Sequence, residues 1–391
     1  MNITFVHKSL VTGGAERILI NYLNLLSSVE NLNITLLLLE NRGEKNINIE
    51  DINKNINIQF ILNTKESEKY AKSENEIQNK SLFRKYYKYQ YRKTNEKIIE
   101  RIGHYLHNTP IDLVINFNSH LDIFLREHKI NYPLFRWIHG QAHLDCWERD
   151  REYYKNILPQ HTYFFAINRE MQKSSQEILS NYGIQPEQVQ MLYNPIDINL
   201  IQEKANFDLD FMDKDYLINV SRLDENKNHI QMINIYYQLR KRGVTEKLYI
   251  IGDGEYRSKI EEYIKELNLS EHCILLGNKN NPYPFMKRAK LFLSTSLKEG
   301  LPTVLIESMV CGVPVISMDC PTGPKEILND GEFGALIPLK NEQAFIQKTL
   351  SILKDGREYN DYKNKLDLAV SPFHFDDIKL SLIKILNTIK N

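Results

Sequence analysis

Twice along this chain, short apolar runs rich in β-branched and aromatic residues alternate with longer amphipathic stretches, and that alternation restricts the fold more than any other feature. In the first half the runs fall at residues 3–7, 34–39, 58–61, 113–116, 134–138, 164–167 and 189–192; in the second they fall at 216–220, 248–251, 274–276, 291–294 and 315–317. Strands this short, joined by helix-length connections, belong to β-α units, and repeated β-α units build open parallel sheets covered by helices on both faces. Each set suffices for a sheet of its own. A chain of 391 residues with 42% hydrophobic side chains is also long enough for two cores. The expected fold class is α/β with two doubly wound parallel sheets.

Between the sets stands Tyr193-Asn-Pro-Ile-Asp-Ile-Asn-Leu, followed by a polar stretch over 202–215. Asn-Pro interrupts regular structure. The expected domains are therefore 1–200 and 201–373, followed by an amphipathic helix over 374–390 behind an Asp cap.

Fifty basic residues balance fifty acidic ones, so the summed charge argues against nucleic acid as a partner. Cys146, Cys273, Cys311 and Cys320 show no paired spacing, which speaks against a zinc site and a disulfide framework and fits a reducing cytoplasm. The opening residues MNITFVHKSLVTGGAER lack the basic leader and long apolar core of a signal peptide, and the most apolar run, 34–39, is far too short to span a bilayer. The expectation is a cytoplasmic protein, soluble or peripheral on the inner face of the cell membrane. One stretch bears on that choice. Residues 82–93, LFRKYYKYQYRK, hold aromatics among five basic side chains and no acidic one. Two readings stand level: a helix lying on an anionic membrane surface, or a solvated helix whose tyrosines pack on their own domain.

Chemistry concentrates at strand ends. The segment KEGLPTVLIESMVCGVPVISM begins where the strand over 291–294 stops and a helix starts near Pro302 or Thr303. In open parallel sheets, ligands bind at the carboxyl ends of strands, and Gly300 admits an anion to the helix N-terminus. A carboxylate beside a phosphate site is electrostatically awkward, so Glu299 reads as an acceptor for sugar hydroxyls, and Glu307 as an acceptor for the two hydroxyls of a ribose. Taken as an isolated pair they are a surface loop residue and a favourable charge near a helix start. Arg222 and Lys227 follow the strand over 216–220, where two cations can neutralise a diphosphate; either alone is an ordinary solvated base. Gly252 and Gly254 form a tight turn without the third glycine of a dinucleotide fingerprint. Asn278 lies in a loop that could face a base. Gly13 and Gly14 let main chain approach a ligand, or simply turn. His139, after the strand over 134–138, either caps structure or contacts substrate.

In combination, T-G-G-A-E-R, I-H-G, N-P-I-D, S-R-L-x-x-x-K-N and E-G-L-P-T-x-x-x-E with G-V-P-V-I-S resemble the retaining glycosyltransferases of the GT-B fold, family 4, over nearly the whole chain. Cys320-Pro-Thr-Gly-Pro-Lys-Glu-Ile-Leu is similar to members that build bacterial surface glycans. The resemblance implies two Rossmann-like domains facing across a cleft, the second holding the sugar nucleotide and the last helix returning to the first. It implies Glu299 on the transferred sugar, Glu307 on the ribose, Arg222 and Lys227 on the diphosphate, Gly13 and Gly14 over the phosphates, and His139 near the sugar and leaving group. Gly300, Leu301, Pro302 and Thr303 complete the donor site, and the acceptor face lies near Gly13, His120 and His143. Ser221 stands where relatives often carry Gly. The implied reaction is metal-independent transfer, with retention, of a hexose or N-acetylhexosamine from a nucleotide sugar to a glycan or lipid-linked acceptor in lipopolysaccharide, capsule or O-antigen synthesis; UDP is the family's usual nucleotide. No D-x-D motif follows a strand, and no cofactor is expected. The rival readings are an epimerase or phosphorylase on the same architecture, a non-catalytic partner protein, and a dinucleotide-dependent oxidoreductase, against which the missing G-x-G-x-x-G counts.

Overall fold

The computed structural model describes residues 1–391 apart from 12–13, 47–48, 81, 210–212 and 390–391. The chain forms two units, Met1–Pro195 together with the chain end from Lys379, and Ile196–Ile378.

The first unit is built on a seven-stranded sheet in the order β3-β2-β1-β4-β5-β6-β7. Its strands are β1 (Asn2–His7), β2 (Asn33–Glu40), β3 (Asn57–Leu62), β4 (Leu113–Asn116), β5 (Leu134–Ile138), β6 (Tyr163–Ala166) and β7 (Val189–Met191), each paired in parallel with its neighbours. β4 and β5 are buried at every position, which explains why they read as continuous apolar runs rather than alternating ones. The second unit carries a six-stranded parallel sheet in the order β10-β9-β8-β11-β12-β13. These strands are β8 (Tyr216–Val220), β9 (Leu248–Ile251), β10 (Cys273–Gly277), β11 (Ala289–Ser294), β12 (Val315–Asp319) and β13 (Ala335–Pro338). Both orders count down to a central strand and then jump outward, so each sheet has one place where the direction of winding reverses. It lies between β1 and β4 in the first unit and between β8 and β11 in the second.

Three sequence expectations need correction. The units divide after Pro195, five residues before the expected boundary, because the helix Ile198–Ala205 contacts the helices Tyr283–Lys287 and Thr303–Val310 and so belongs with the second unit. The last helix, Phe375–Ile389, is capped by a histidine instead of an Asp: His374 Nδ1 accepts the Asp376 N–H at 3.2 Å. Strand β13, four residues at the sheet edge, was not anticipated. The division at Lys379 falls inside the last helix, whose buried residues Leu382 and Leu386 lie on the first-unit side.

Candidate active site

The reversal point between β8 and β11 is where an open α/β sheet leaves a crevice, since the connections from the two strands depart to opposite faces. Two loops flank it, one running from Ser221 to Asn228 and the other from Thr295 to Pro302. Lys227 stands on the first and Glu299 on the second. Lys227 Nζ donates to Glu299 Oε1 at 2.6 Å, with side chains only 18% and 12% exposed. Two residues 72 apart in sequence thus form a sheltered ion pair at the place where the sheet topology puts a ligand.

Local chemistry holds the first loop. Asp224 Oδ1 accepts the Lys227 N–H at 3.1 Å and caps the 3-10 turn Glu225–Lys227. Asn228 follows in the left-handed region at φ 53°, a conformation Asn tolerates, and Thr295 Oγ1 donates toward the carbonyls of Lys227 and Asn228 at 3.1 and 3.2 Å. Below them, His229 Nε2 lies 3.0 Å from Ser221 Oγ and 3.2 Å from Asn219 Oδ1. Burial lowers the His229 pKa to about 4, so the ring is neutral and ties the helix His229–Lys241 to the end of β8. Gly252 and Gly254 support the same loop from β9. A Cβ on Gly252 would sit 1.9 Å from the Ser221 carbonyl oxygen, and the loops are laced by Ser221 N–H to Ile251 O and Leu223 N–H to Asp253 O, each at 3.0 Å. The tight turn read in the sequence is therefore the clamp on the strand end carrying Arg222. Arg222 itself is exposed, with Asp224 Oδ2 3.4 Å away.

The second loop is held mostly by main chain. Glu299 N–H donates to Pro321 O at 2.7 Å, Thr322 N–H returns to Glu299 O at 3.0 Å, and Thr322 Oγ1 donates to Gly300 O at 2.9 Å. Gly323 makes the approach possible, because at its φ of 92° a Cβ would lie 2.5 Å from Gly300 O and 2.7 Å from Pro302 Cδ. The helix begins at Thr303, one residue after Pro302. Leu301 and Pro302 are buried, so they shape the turn; Thr303 and Glu307 are half-buried, and Glu307 lies in the second turn of that helix. Asn278, exposed, directly follows β10. Burial pushes the Cys320 thiol up to about 12, which leaves no thiolate nucleophile there.

The remaining predicted residues belong to the first unit. Gly13 lies outside the described residues. Gly14 opens the helix Gly14–Ser27, and a Cβ there would meet nothing within 4 Å. His139 Nε2 lies 2.7 Å from the Phe117 carbonyl, and burial lowers its pKa to about 4. A neutral ring donating from Nε2 to that carbonyl keeps Nδ1 as an acceptor. Burial likewise lowers His143 to about 3 and His120 well below its ordinary value. His7, the last residue of β1, is fully buried, its ring 4.7 Å from that of His120 and its Nε2 3.5 Å from Glu16 Oε1. The turn after β4 is fixed from beneath, where the buried Arg136 forks onto Asp122 at 2.8 and 3.0 Å and reaches Ser119 Oγ at 2.7 Å. Beside His120 and Lys8 opens a cleft of about 730 Å³, lined also by Tyr70, Glu74, Tyr91 and Asn95. Tyr70 stacks on Tyr91 at 4.9 Å and donates to Asn95 Oδ1 at 2.6 Å. A second hollow of about 610 Å³ at Gln59, Phe60 and Arg101 touches none of the predicted site residues. Among the described residues, no group of three or more His, Cys, Asp or Glu side chains could hold a metal ion.

Residues 201–366 match the family model for glycosyl transferases group 1. The match falls within the second unit and covers both loops of the ion pair. A Campylobacter jejuni enzyme, N-acetylgalactosamine-N,N'-diacetylbacillosaminyl-diphospho-undecaprenol 4-alpha-N-acetylgalactosaminyltransferase, is 36% identical over 206 residues, which are 53% of this chain and 55% of that one. The chain spans about half the length of the curated relatives it matches. Among solved structures, Anabaena HepE in complex with UDP superposes with a TM-score of 0.69 at 18% identity, covering 99% of this chain and 100% of HepE. TarM superposes at 0.77 and 14% identity, covering 100% and 99%. The fold is that of the GT-B glycosyltransferases.

Proposed function

We propose that this protein is a retaining glycosyltransferase that moves a hexose or N-acetylhexosamine from a UDP-sugar to a glycan or lipid-linked acceptor in the synthesis of a bacterial surface glycan. The observation that carries the proposal is the Lys227–Glu299 pair at the reversal point of the second sheet. A sheltered cation and a sheltered carboxylate in contact suit a ligand with a diphosphate joined to a sugar: Lys227 turns to the diphosphate, and Glu299 accepts hydrogen bonds from the sugar hydroxyls. Arg222, exposed on the same loop, supplies the second positive charge. Glu307 receives the ribose, Asn278 faces the base, and the turn from Gly300 to Thr303 approaches the phosphates. In the reaction the anomeric C–O bond to the β-phosphate breaks, the acceptor oxygen forms the new bond from the same face, and its proton passes to the departing phosphate oxygen. Catalysis is electrostatic, and the two cations take the place of a metal. HepE, whose solved structure is a complex with UDP, supports UDP as the nucleotide; the diphospho-undecaprenol in the C. jejuni enzyme's name supports a lipid-linked glycan. The cleft at Tyr70, Glu74 and Asn95, with ring faces and hydrogen-bonding groups, suits the acceptor sugars, and His139 and Gly14 border the same sheet edge as that cleft.

The test is a panel of nucleotide sugars incubated with an undecaprenyl-diphosphate-linked acceptor. Transfer from a UDP-sugar, undiminished by EDTA and giving a product with the donor's anomeric configuration by NMR, is expected. Free or epimerised sugar without acceptor product would overturn the transferase reading, inversion would overturn retention, and EDTA inhibition reversed by magnesium would overturn metal independence.

A further inference from the structure

The Tyr-rich helix Arg84–Asn108 has two faces of different character. Toward its own unit it buries Ile98, Ile102 and Leu106, and Tyr91 stacks on Tyr70. Its other face begins with side chains that the fold leaves in water. Leu82 is 100% exposed and Phe83 70%, and Tyr86 and Tyr89 are each more than half exposed. Tyr86, Tyr89 and Lys93 recur at helical spacing on one side, and Leu82 and Phe83 immediately precede the helix. Packing on the domain therefore buries much of Tyr91 but leaves Leu82, Phe83, Tyr86 and Tyr89 mostly exposed, and a cluster of that kind on a surface marks a contact.

Charge identifies what covers it. From residue 77 to residue 95 there is no acidic side chain, while Lys80, Arg84, Lys85, Lys88, Arg92 and Lys93 supply six cations. Glu74 is engaged by Lys8 and Glu66 by Lys97 and Arg101, while Glu96 pairs with Arg92 at the end of the patch. Glu76, on the preceding helix Thr64–Gln78, is half-buried. A nucleic acid would use the cations but leave Leu82 and Phe83 in water. A bilayer uses both, with acyl chains for the two apolar side chains, the interfacial zone for the tyrosines and acidic headgroups for the lysines and arginines. Among the described residues no helix is long and apolar enough to cross a membrane, so the contact is with its surface.

We infer that residues 82–93 form a docking surface for an anionic phospholipid bilayer, with Leu82 and Phe83 inserted and Arg84, Lys85 and Lys88 on the headgroups. The inference stands apart from the reaction proposed above. It is tested by sedimenting the full chain with vesicles of phosphatidylcholine, alone or mixed equally with phosphatidylglycerol. Wild-type protein binds the mixed vesicles, binds less as salt rises, and largely ignores pure phosphatidylcholine. The triple variant Arg84→Gln/Lys85→Gln/Lys88→Gln binds on the order of a hundredfold more weakly, and Leu82→Ser/Phe83→Ser also loses binding with an unchanged circular dichroism spectrum. UDP-dependent thermal shifts stay as in wild type for both variants, so failure here is separable from failure of the transferase reading. Equal sedimentation of wild type and variants would overturn the proposal. Recovery only with native membranes, abolished by protease treatment of those membranes, would also overturn it and assign the patch to a protein partner.

Discussion

At Lys227 a single ammonium group has an observed structural contact and a proposed catalytic one, and substitution can separate them. Its contact with Glu299 neutralises a carboxylate that has little access to water, and removal of one member of a fully buried pair costs roughly 3–5 kcal/mol; a smaller loss is expected here, where both groups keep some exposure. In the reaction proposed above Lys227 would also meet the charge of a departing diphosphate, and loss of one such group lowers turnover on the order of a hundred- to a thousandfold. Lys227→Ala should therefore both melt earlier and transfer slowly. The double variant Lys227→Met/Glu299→Gln, which leaves no unpaired charge, should regain most of the melting temperature while transfer stays low. Steady-state kinetics beside thermal melts check both, and wild-type rates in Lys227→Ala would refute the assignment. Glu299 was legible in the sequence because an acid before Gly-Leu-Pro at a strand end is conspicuous. Its pairing with Lys227 was not, since contact across 72 residues depends on which strands are neighbours. His7 was hidden for another reason: within an apolar run a histidine reads as one more strand residue until its ring is seen beside His120.

Strands and loops differ in how much of their placement is written in side chains. The buried parallel strands announce themselves as unbroken apolar runs, so β4, β5, β8 and β9 begin and end where the sequence suggests. β13 did not, because Ala335-Leu-Ile-Pro has Ile337 as its one β-branched residue and ends in a proline that suits only an edge. The loop at Glu299 is less legible still. Its clamp to Pro321 and Thr322 is largely a matter of backbone hydrogen bonds, which any residue types could make, and the one clue is Gly323. That clue can be tested. Ala at position 323 would meet both left-handed strain, about 1–2 kcal/mol, and a Cβ 2.5 Å from Gly300 O. Ala at position 312 meets only the strain, since Gly312 has φ 81° and open space around its Cβ site. Gly323→Ala should thus lose the thermal shift produced by UDP, while Gly312→Ala should melt modestly earlier and keep that shift. Equal retention in both would show that the loop tolerates displacement and that its geometry is not what holds the nucleotide.

On the scale of the whole molecule, neutral buried histidines set the response to acid, and they are unevenly divided. In the first unit, burial holds His139 at about 4, His143 at about 3, and His120 and His161 well below the ordinary value; in the second it holds His229 at about 4. Each folded-state pKa lies below that of the unfolded chain, about 6.5. Between that value and the folded one the unfolded chain binds more protons, so unfolding becomes easier as pH falls, by up to about 1.4 kcal/mol per pH unit for each group. Glu40, raised by burial, acts in the opposite sense, because the folded chain takes up its proton first. Glu66, lowered to about 2 by Arg101 and Lys97 against its desolvation, adds to the loss once pH drops below about 4.5. Four histidines against one carboxyl leave the first unit the more acid-sensitive. Trp137 and Trp147 are the chain's two tryptophans and both lie in that unit, fully buried, so their fluorescence follows it alone, whereas the proposed UDP binding would report on the second. On acidification from about pH 6.5 toward 4 the tryptophan emission should shift to the red before UDP binding is lost, and His139→Gln/His143→Gln should move that shift to lower pH. Simultaneous loss of both signals, unaltered in the variant, would mean that the acid response is set by the molecule as one cooperative body rather than by these rings.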